Sequence, residues 1–372
     1  MKEKKILVAV TNYPKEDNTV IHKFVHVRNK YYKQNGIDVT VLNFTTNDDY
    51  VYDDIKVISL NTFKKNLYKD TYSVLVLHQA NIRMHYKFLI KYGDFFSKFV
   101  FFYHGHEVLK INKVYPPKYE YNKKDDILKY IFQNIYDDFK LLIWRRYLPK
   151  IASKSYFVFV SRWMLDEFLK WTKINPKVIQ NRYSITYNCV GEVFEKEKYS
   201  YNKEKLYDFV TVRGNIDTSK YAIDIVNRLA YNTPEAKFLL IGKGKFFTYN
   251  KKAPNLTWID KNLSHNEIIE FLNISKYALM PTRTDAQGLM MCEMAAFGIP
   301  VITSDIPVCH EVFDEFKNAF YINNDDDKES LNKYLYMNID IEKDCRFFLQ
   351  NTGNKEVELL NDIITSIEEE EV

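Results

Sequence analysis

Short apolar runs alternate with amphipathic stretches along most of the 372 residues. The apolar runs are rich in β-branched and aromatic side chains, as is typical of buried strands. In the first half they predict strands over Lys5 to Thr11, Asp38 to Phe44, Val57 to Leu60, Tyr72 to His78, Lys98 to His104 and Ser155 to Val160. Helical spacing of apolar residues predicts helices over Val20 to Gln34 and Asp125 to Tyr147.

The same alternation starts again after a charged segment, Glu195 to Asp208, which we interpret as a linker. The strands predicted beyond it are Phe209 to Arg213, Lys237 to Ile241, Leu256 to Ile259, Tyr277 to Pro281 and Pro300 to Thr303. The helices predicted between them are Ala222 to Tyr231, Ser264 to Ile274 and Leu289 to Phe297. Such alternation predicts an α/β protein with two parallel sheets, each covered by helices on both faces.

Composition narrows the class of protein. No apolar run approaches the roughly 18–20 residues that cross a bilayer. The basic start leads directly into the first predicted strand, so a secretory signal is not expected. The four cysteines have no spacing typical of a zinc or redox pair, and a reducing cytoplasm is the expected location.

The charge is divided unequally between the two halves. Residues 1–200 carry 34 Lys and Arg against 21 Asp and Glu, a net charge of +13, whereas residues 201–372 carry 19 against 28, a net charge of −9. A basic half attracts phosphate groups or anionic lipid. Separate partners for the two halves are one interpretation, and solvated surface charge without a partner is the other.

The most informative stretch runs from Tyr277 to Glu311. A predicted buried strand leads into a polar loop, and Gly288 opens an apolar helix. Ligands bind at the carboxyl ends of parallel strands, and a helix N-terminus with free N–H groups binds anions. The loop from Asp285 to Leu289 is therefore a candidate diphosphate site. Two acids beside it, Asp285 and Glu293, suit sugar or ribose hydroxyls, since carboxylates repel phosphate. An ordinary loop–helix–strand unit is the alternative.

This stretch resembles the signature of family 4 retaining glycosyltransferases, which have the GT-B fold. The family's acid and Glu, separated by seven residues, are matched by Asp285 and Glu293. The loop DAQGL at 285–289 is similar to the family's acid-Gly-Phe-Gly-Leu loop, with Asp in place of the usual Glu and Ala-Gln in place of Gly-Phe. The run EMAAFGIPVI at 293–302 is similar to its Glu-Ala-Met-Ala-x-Gly-x-Pro-Val-Ile run.

The resemblance implies roles for individual residues. Arg213 and Lys220 would neutralise the donor diphosphate, Asp285 would bind the sugar, and His104 would approach the sugar from the first domain. Glu293 would bind ribose. The other donor-binding residues implied are Gly288, Leu289, Gln287 and Gly242.

The resemblance also implies the domain plan and the reaction. It implies an acceptor-binding Rossmann-like domain over residues 1–200, a donor-binding one over 206–345, a cleft between them, and a C-terminal stretch, 346–372, that crosses back to the first. The implied reaction is metal-independent transfer of a hexosyl group, with retention, from a UDP-sugar or GDP-sugar. No cofactor and no metal site are expected.

The partners expected are the nucleotide-sugar donor and a saccharide or lipid-linked acceptor of bacterial surface glycan synthesis, with no nucleic acid. The basic half and the amphipathic run Asp125 to Lys150, which contains Trp144, also suggest peripheral contact with an anionic membrane. A core helix with a basic outer edge is the alternative for that run. Two other functions stay open: a sugar-nucleotide epimerase of the same fold, and a non-catalytic protein that binds glycan or stabilises another transferase.

Overall fold

The structure is a computed structural model that describes residues 5–16, 22–123 and 127–370. The chain divides into two compact units. Unit 1 comprises residues 1–110, 135–188 and 349–372, and unit 2 comprises residues 111–134 and 189–348. The boundary predicted near residue 200 therefore differs from the structure in two ways. The chain enters unit 2 at Cys189, and an excursion of 24 residues in the first half, 111–134, also belongs to unit 2.

The predicted linker is part of unit 2 rather than a free connection. Within it, Tyr199 is buried. The Tyr199 hydroxyl donates to the Ser275 carbonyl at 2.7 Å, and its ring packs edge-on against Phe297 at 6.1 Å between centroids. The sequence did not predict this packing, because the segment has few aliphatic residues. One tyrosine supplies both the apolar ring and the polar contact.

Unit 1 contains a mixed sheet with the strand order β3-β4-β2-β1-β5-β6-β7-β8. All of its pairings are parallel except β3 with β4. The central strands are almost wholly buried, which explains their continuous apolar sequence. The strands are β1 (Lys5–Val10), β2 (Asp38–Asn43), β3 (Tyr50–Tyr52), β4 (Ile55–Ser59), β5 (Val74–His78), β6 (Lys98–Tyr103), β7 (Ser155–Phe159) and β8 (Tyr183–Ile185).

Unit 2 contains a parallel sheet with the strand order β11-β10-β9-β12-β13-β14. Its core is formed by strands and by apolar faces of helices such as that of Ile223, Val226 and Ala230. The strands are β9 (Tyr207–Asn215), β10 (Phe238–Lys243), β11 (Leu256–Ile259), β12 (Ser275–Leu279), β13 (Val301–Ser304) and β14 (Ala319–Ile322).

The helices alternate with these strands along the chain. They are α1 (Lys23–Gln34), α2 (Leu60–Lys65), α3 (His85–Tyr92), α4 (Ile111–Val114), α5 (Ile127–Ile151), α6 (Arg162–Thr172), α7 (Glu192–Lys196), α8 (Ile223–Asn232), α9 (Phe246–Tyr249), α10 (His265–Asn273), α11 (Leu289–Phe297), α12 (Pro307–Val312) and α13 (Leu349–Glu370). The helix predicted from Val20 begins at Lys23, and residues 17–21 lie outside the described part. The one predicted from Asp125 begins at Ile127, and residues 124–126 likewise lie outside it.

The long helix α5 has apolar side chains on more than one face. Trp144, which lies in the run expected to contact a membrane, is a residue type found at membrane interfaces, but its side chain is buried in unit 1 and is not available for such a contact. Other large apolar side chains of α5 are exposed, namely Leu128, Tyr130, Ile131, Phe132, Ile135, Phe139 and Leu142. Within the described residues, no helix is long and apolar enough to span a membrane.

A buried ion pair joins the first and last helices of unit 1. Nε of Arg28, on α1, lies 3.0 Å from Oε1 of Glu356, on α13, and both side chains are at most 2% exposed. The Tyr32 hydroxyl also donates to Glu356 at 2.5 Å. Arg28 in addition donates to Asn188 at 3.0 Å, the last residue of unit 1 before the chain enters unit 2. The buried, hydrogen-bonded ion pair thus holds the C-terminal helix α13 to α1 within unit 1.

Glu356→Gln is expected to destabilise the protein by about 3 kcal/mol, because it leaves the Arg28 cation buried without its counter-charge. The double variant Arg28→Met, Glu356→Leu is expected to recover part of that loss, since it removes both charges. Urea unfolding of the wild type, Glu356→Gln, the two single variants Arg28→Met and Glu356→Leu, and the double variant measures the effect. A double variant as unstable as the sum of its two single changes would contradict this account of the pair.

Candidate functional site

Two neighbouring strands of unit 2 end at the same edge of its sheet. β9 pairs in parallel with β12, with Phe209 opposite Tyr277. The chain order reverses between them, because β10 and β11 lie on one side of β9 and β12 to β14 on the other. Open α/β sheets bind ligands outside the carboxyl ends of their strands at such a switch point. The loops that follow β9 and β12 therefore form the candidate site.

Arg213 lies near the end of β9 and is buried, with 5% of its surface exposed. Its Nη2 donates to the Pro281 carbonyl at 2.8 Å, and the guanidinium carbon lies 4.9 Å from the centre of the Tyr221 ring. Within the described chain, its Nε has no hydrogen-bond partner and no carboxylate pairs with it. Burial lowers its pKa, an effect opposed by nearby Tyr221 and Asp285. An uncompensated buried cation is costly and suits an anionic ligand.

Lys220 lies in a short 3₁₀ turn, Ser219–Tyr221, that follows β9. Its Nζ is 3.2 Å from Oδ1 of Asp285, in the loop after β12, and each side chain is about one-sixth exposed. The two predicted residues are therefore brought together, as an ion pair. The partly exposed ammonium can be shared with an incoming anion, since its other donors are not taken up by this one contact.

The N-terminus of α11 also lies in the loop after β12. Gly288 is its N-cap, with φ of 77°, a backbone conformation that L side chains rarely adopt. No side chain caps the helix, and the N–H groups of Leu289 and Met290 donate to no group in the described chain. Free N–H groups at the positive end of a helix dipole are suited to phosphate oxygens.

Glu293 lies inside α11 and is buried. The Gly191 N–H donates to its Oε1 at 3.4 Å, and Nε2 of His265 lies 4.0 Å from the same atom. Burial raises the pKa of this carboxyl to about 7, opposed by the Gly191 contact. A weakly hydrogen-bonded carboxylate is suited to accept hydrogen bonds from hydroxyl groups of a ligand.

Two other predicted residues, Gly242 and Gln287, lie in unit 2 and pack against other groups of the protein. A Cβ on Gly242, at the end of β10, would lie 2.1 Å from the Arg213 carbonyl oxygen, so only glycine allows this approach of β10 to β9. Gln287 is buried, and its Nε2 lies 3.6 Å from Sγ of Cys292. Both residues shape the site from within unit 2.

His104 belongs to unit 1, where it directly follows β6. Its Nε2 is 3.2 Å from Nδ1 of His78, and its side chain also hydrogen-bonds to Asn188. Burial, and then the positive charge of Arg28, holds the pKa of His104 well below its usual range. The ring is therefore neutral at pH 7. Its predicted contact with a sugar stays a prediction.

Two residues that hold the Lys220 loop, the segment 216–222 between β9 and α8, were not predicted from the sequence. Arg283 forms a double hydrogen bond with Asp224, at 2.9 and 2.6 Å, and its Nη1 also donates to the Ser219 carbonyl at 2.8 Å. Its backbone N–H donates to the Lys220 carbonyl at 2.9 Å. A sequence feature that could have indicated Arg283 is its position in the same polar loop as Asp285. In the residues that the structure describes, no cluster of three His, Cys, Asp or Glu could hold a metal ion.

The arrangement combines three features at one sheet edge. Two cations, Arg213 and Lys220, stand beside a helix N-terminus with free N–H groups. A buried carboxylate, Glu293, follows one turn into that helix. Such a set binds a dianion through its cations and N–H groups, and a hydroxyl-bearing group through its carboxylates.

Comparisons with known proteins agree with this chemistry. Residues 193–352 match the model of a family described as glycosyl transferases group 1, and this region lies largely in unit 2. Over 201 residues, 52% of this chain, the sequence is 27% identical to the O-antigen chain mannosyltransferase RfbU of Salmonella typhimurium. The chain spans about half the length of the curated relatives it matches, 54% in this instance.

Solved structures establish the fold. The sucrose-phosphate synthase of Thermosynechococcus elongatus is similar over 98% of this chain and 97% of its own, with a TM-score of 0.63 and 13% identity. HepE of Anabaena, solved in complex with UDP and glucose, is similar over 98% of each chain, with a TM-score of 0.58 and 11% identity. The chain therefore has the GT-B fold.

Glu293→Gln is expected to raise the stability of the ligand-free protein at high pH. The carboxyl pKa is raised from 4.5 to about 7, so its proton stabilises the folded state at low pH and that contribution is lost as pH rises through 7. A neutral amide avoids the cost of ionisation, up to about 3 kcal/mol at 1.36 kcal/mol per pKa unit.

Urea unfolding at about pH 5 and about pH 8.5 measures the difference, since these values lie on either side of the raised pKa. Glu270→Gln, at an exposed position on α10, is the matched control and should leave the free energy of unfolding unchanged at both pH values. An equal effect of Glu293→Gln at both pH values would contradict the burial of an ionisable carboxyl.

Proposed function

We propose that this protein is a retaining glycosyltransferase that moves a hexosyl group from a nucleotide-diphosphate sugar to a saccharide or lipid-linked acceptor in bacterial surface glycan synthesis. The observation that carries the proposal is Arg213, a buried cation with no carboxylate partner in the described chain, beside Lys220 and the free N-terminus of α11. The match to glycosyl transferases group 1 and the O-antigen relative support the same class of reaction.

The donor would be held mainly by its diphosphate. Arg213 can direct its Nε and a free Nη at phosphate oxygens, Lys220 can add an ammonium, and Leu289 and Met290 can donate N–H groups. Glu293 would accept hydrogen bonds from the ribose hydroxyls. Asp285, the partner of Lys220, would bind the sugar. A UDP-sugar and a GDP-sugar both fit these contacts, because none of them involves the base.

The reaction would proceed by departure of the nucleoside diphosphate. Negative charge grows on the diphosphate as the glycosidic bond breaks, and fixed cations that already face this charge lower the barrier. Arg213 and Lys220 would supply those cations, which is why we propose a metal-independent mechanism. The leaving diphosphate could take the proton of the acceptor hydroxyl on the same face of the sugar, and retention would follow.

The acceptor is proposed to be presented at an anionic membrane surface. In the unit 1 part of α5, Ile135, Phe139 and Leu142 are exposed at the spacing of one helix face. Arg145 and Arg146 follow them and are also exposed. An apolar helix face next to exposed cations is the pattern of an interfacial helix, and the cations favour anionic lipid.

Arg213→Ala and Lys220→Ala are each expected to lower the rate of sugar transfer about 100-fold or more, because each removes a cation from the leaving diphosphate. Arg228→Ala, a partly exposed arginine on α8 paired with Asp327, is the matched control and should keep the wild-type rate. The measurement is product formation from a UDP-sugar or GDP-sugar with a lipid-linked saccharide acceptor, in the presence of EDTA.

The same assay separates the proposal from its competitors. NMR of the product should show the anomeric configuration of the donor, and inversion would contradict retention. Transfer at the wild-type rate by both Ala variants would contradict the assigned site. Epimerisation of the donor without acceptor would indicate a sugar-nucleotide epimerase.

Ile135→Ser with Phe139→Ser is expected to weaken binding to phosphatidylglycerol vesicles about tenfold or more, since two apolar side chains no longer enter the lipid. Ile90→Ser, an exposed apolar residue on α3 of the same unit, is the control and should bind as the wild type does. Sedimentation with phosphatidylglycerol and with phosphatidylcholine vesicles measures binding. Equal, negligible binding of the wild type to both would refute the membrane part of the proposal.

A further inference from the structure

The segment 115–122 (YPPKYEYN), here called the tyrosine strap, packs on the loop that carries Lys220. The chain belongs to unit 1 up to residue 110 and again from residue 135, whereas the strap belongs to unit 2. Its two consecutive prolines favour an extended, stiff backbone. A piece of the first half of the sequence therefore forms part of the unit that carries the candidate site.

Tyr119 holds the far end of the Lys220 loop. Its hydroxyl donates to Oδ1 of Asp224 at 2.8 Å and accepts from the Ile223 N–H at 3.1 Å. Ala222, the N-cap of α8, has no capping side chain and lies in the left-handed region with φ of 54°. The Tyr119 hydroxyl takes the place of the missing cap, and it meets the same Asp224 that holds Arg283.

Tyr121 holds the near end of the same loop. Its hydroxyl donates to Oδ1 of Asp217 at 2.7 Å, and Asp217 also accepts from the Lys245 N–H at 2.8 Å. The Tyr121 ring stacks on Tyr249, with centroids 4.5 Å apart and planes within 8°. Asn122 adds a bond to the Asp217 carbonyl at 3.3 Å.

The strap also contacts the middle of the loop. The Ser219 hydroxyl donates to the Pro116 carbonyl at 3.5 Å. The ammonium of Lys220 lies 5.6 Å from the centre of the Tyr115 ring, on the strap, and 5.5 Å from that of Tyr221. Aromatic faces at this distance attract a cation without neutralising it.

We propose that Tyr119 and Tyr121 are positioning residues for diphosphate binding, which they serve by fixing both ends of the loop that presents Lys220. This inference rests on the proposed function, because it takes Lys220 as a diphosphate ligand. Neither tyrosine touches the donor in this account. Tyr121 acts through Asp217 of the loop, and Tyr119 acts through Asp224 in the first turn of α8, directly after the loop.

The test compares Tyr119→Phe and Tyr121→Phe with the wild type by calorimetric titration of the full chain with UDP and GDP and with UMP and GMP. Both changes keep the ring and its packing, so the protein should remain folded. Loss of one hydrogen bond to Asp224 or Asp217 is expected to weaken diphosphate binding about three- to tenfold. The affinity for UMP and GMP should change by less than about twofold, which is less than the loss of one weak hydrogen bond would cause.

Two controls separate positioning from a general loss of stability. Tyr277→Phe also removes a buried hydroxyl bond in unit 2, to the Tyr334 carbonyl at 2.8 Å, and should leave all affinities unchanged. In a Lys220→Ala background, Tyr119→Phe should cause no further loss of diphosphate affinity, because the two changes act on one interaction.

The outcomes are distinct. Wild-type diphosphate affinity in both Phe variants, an equal loss for monophosphates, or losses that add to that of Lys220→Ala would overturn the inference while the proposed function stands. Undiminished diphosphate affinity in Lys220→Ala itself would instead overturn the diphosphate role in the proposed function.

Discussion

The guanidinium of Arg213 is the feature on which the site of unit 2 depends. It is buried at the end of a central strand, its Nε has no partner among the described residues, and its neighbours there are a carbonyl and an aromatic ring. A buried cation in this state lowers the stability of the empty protein, and an anion that reaches it regains that free energy as binding. The glycine at the end of β10 belongs to the same feature, because a Cβ on Gly242 would lie against the Arg213 carbonyl oxygen.

Glu293 is likewise a buried ionisable group with few hydrogen-bond partners, but it is an acid where Arg213 is a cation. Its carboxyl is buried with few donors, and its pKa is raised to about 7. Residues that are suboptimal for stability often mark sites where binding or catalysis needs them. A cation for phosphate and a carboxylate for hydroxyls, both poorly satisfied without ligand, lie at one edge of the sheet of unit 2. The nucleotide-sugar donor of the proposed function carries both kinds of group.

Much of the fold could be predicted from sequence because buried parallel strands are continuous apolar runs. Leu256 to Ile259 and Leu289 to Phe297 match the structure to the residue. The short strands Tyr50–Tyr52, Tyr183–Ile185 and Ala319–Ile322 were missed, since edge strands of three or four partly exposed residues carry little pattern. The ion pair of Lys220 with Asp285 joins two predicted site residues. Tyr119 and Arg283 were missed because their partners are distant in sequence, and no local spacing records a bond between residues 119 and 224.

The most direct test of the central claim is a crystal structure of the protein with UDP or GDP, whichever it binds in solution. We predict that phosphate oxygens lie within hydrogen-bond distance of Nε of Arg213 and of Nζ of Lys220, with ribose hydroxyls on Glu293. A bound nucleotide whose diphosphate contacts neither cation would contradict the account, because Arg213 would then remain a buried charge without a ligand.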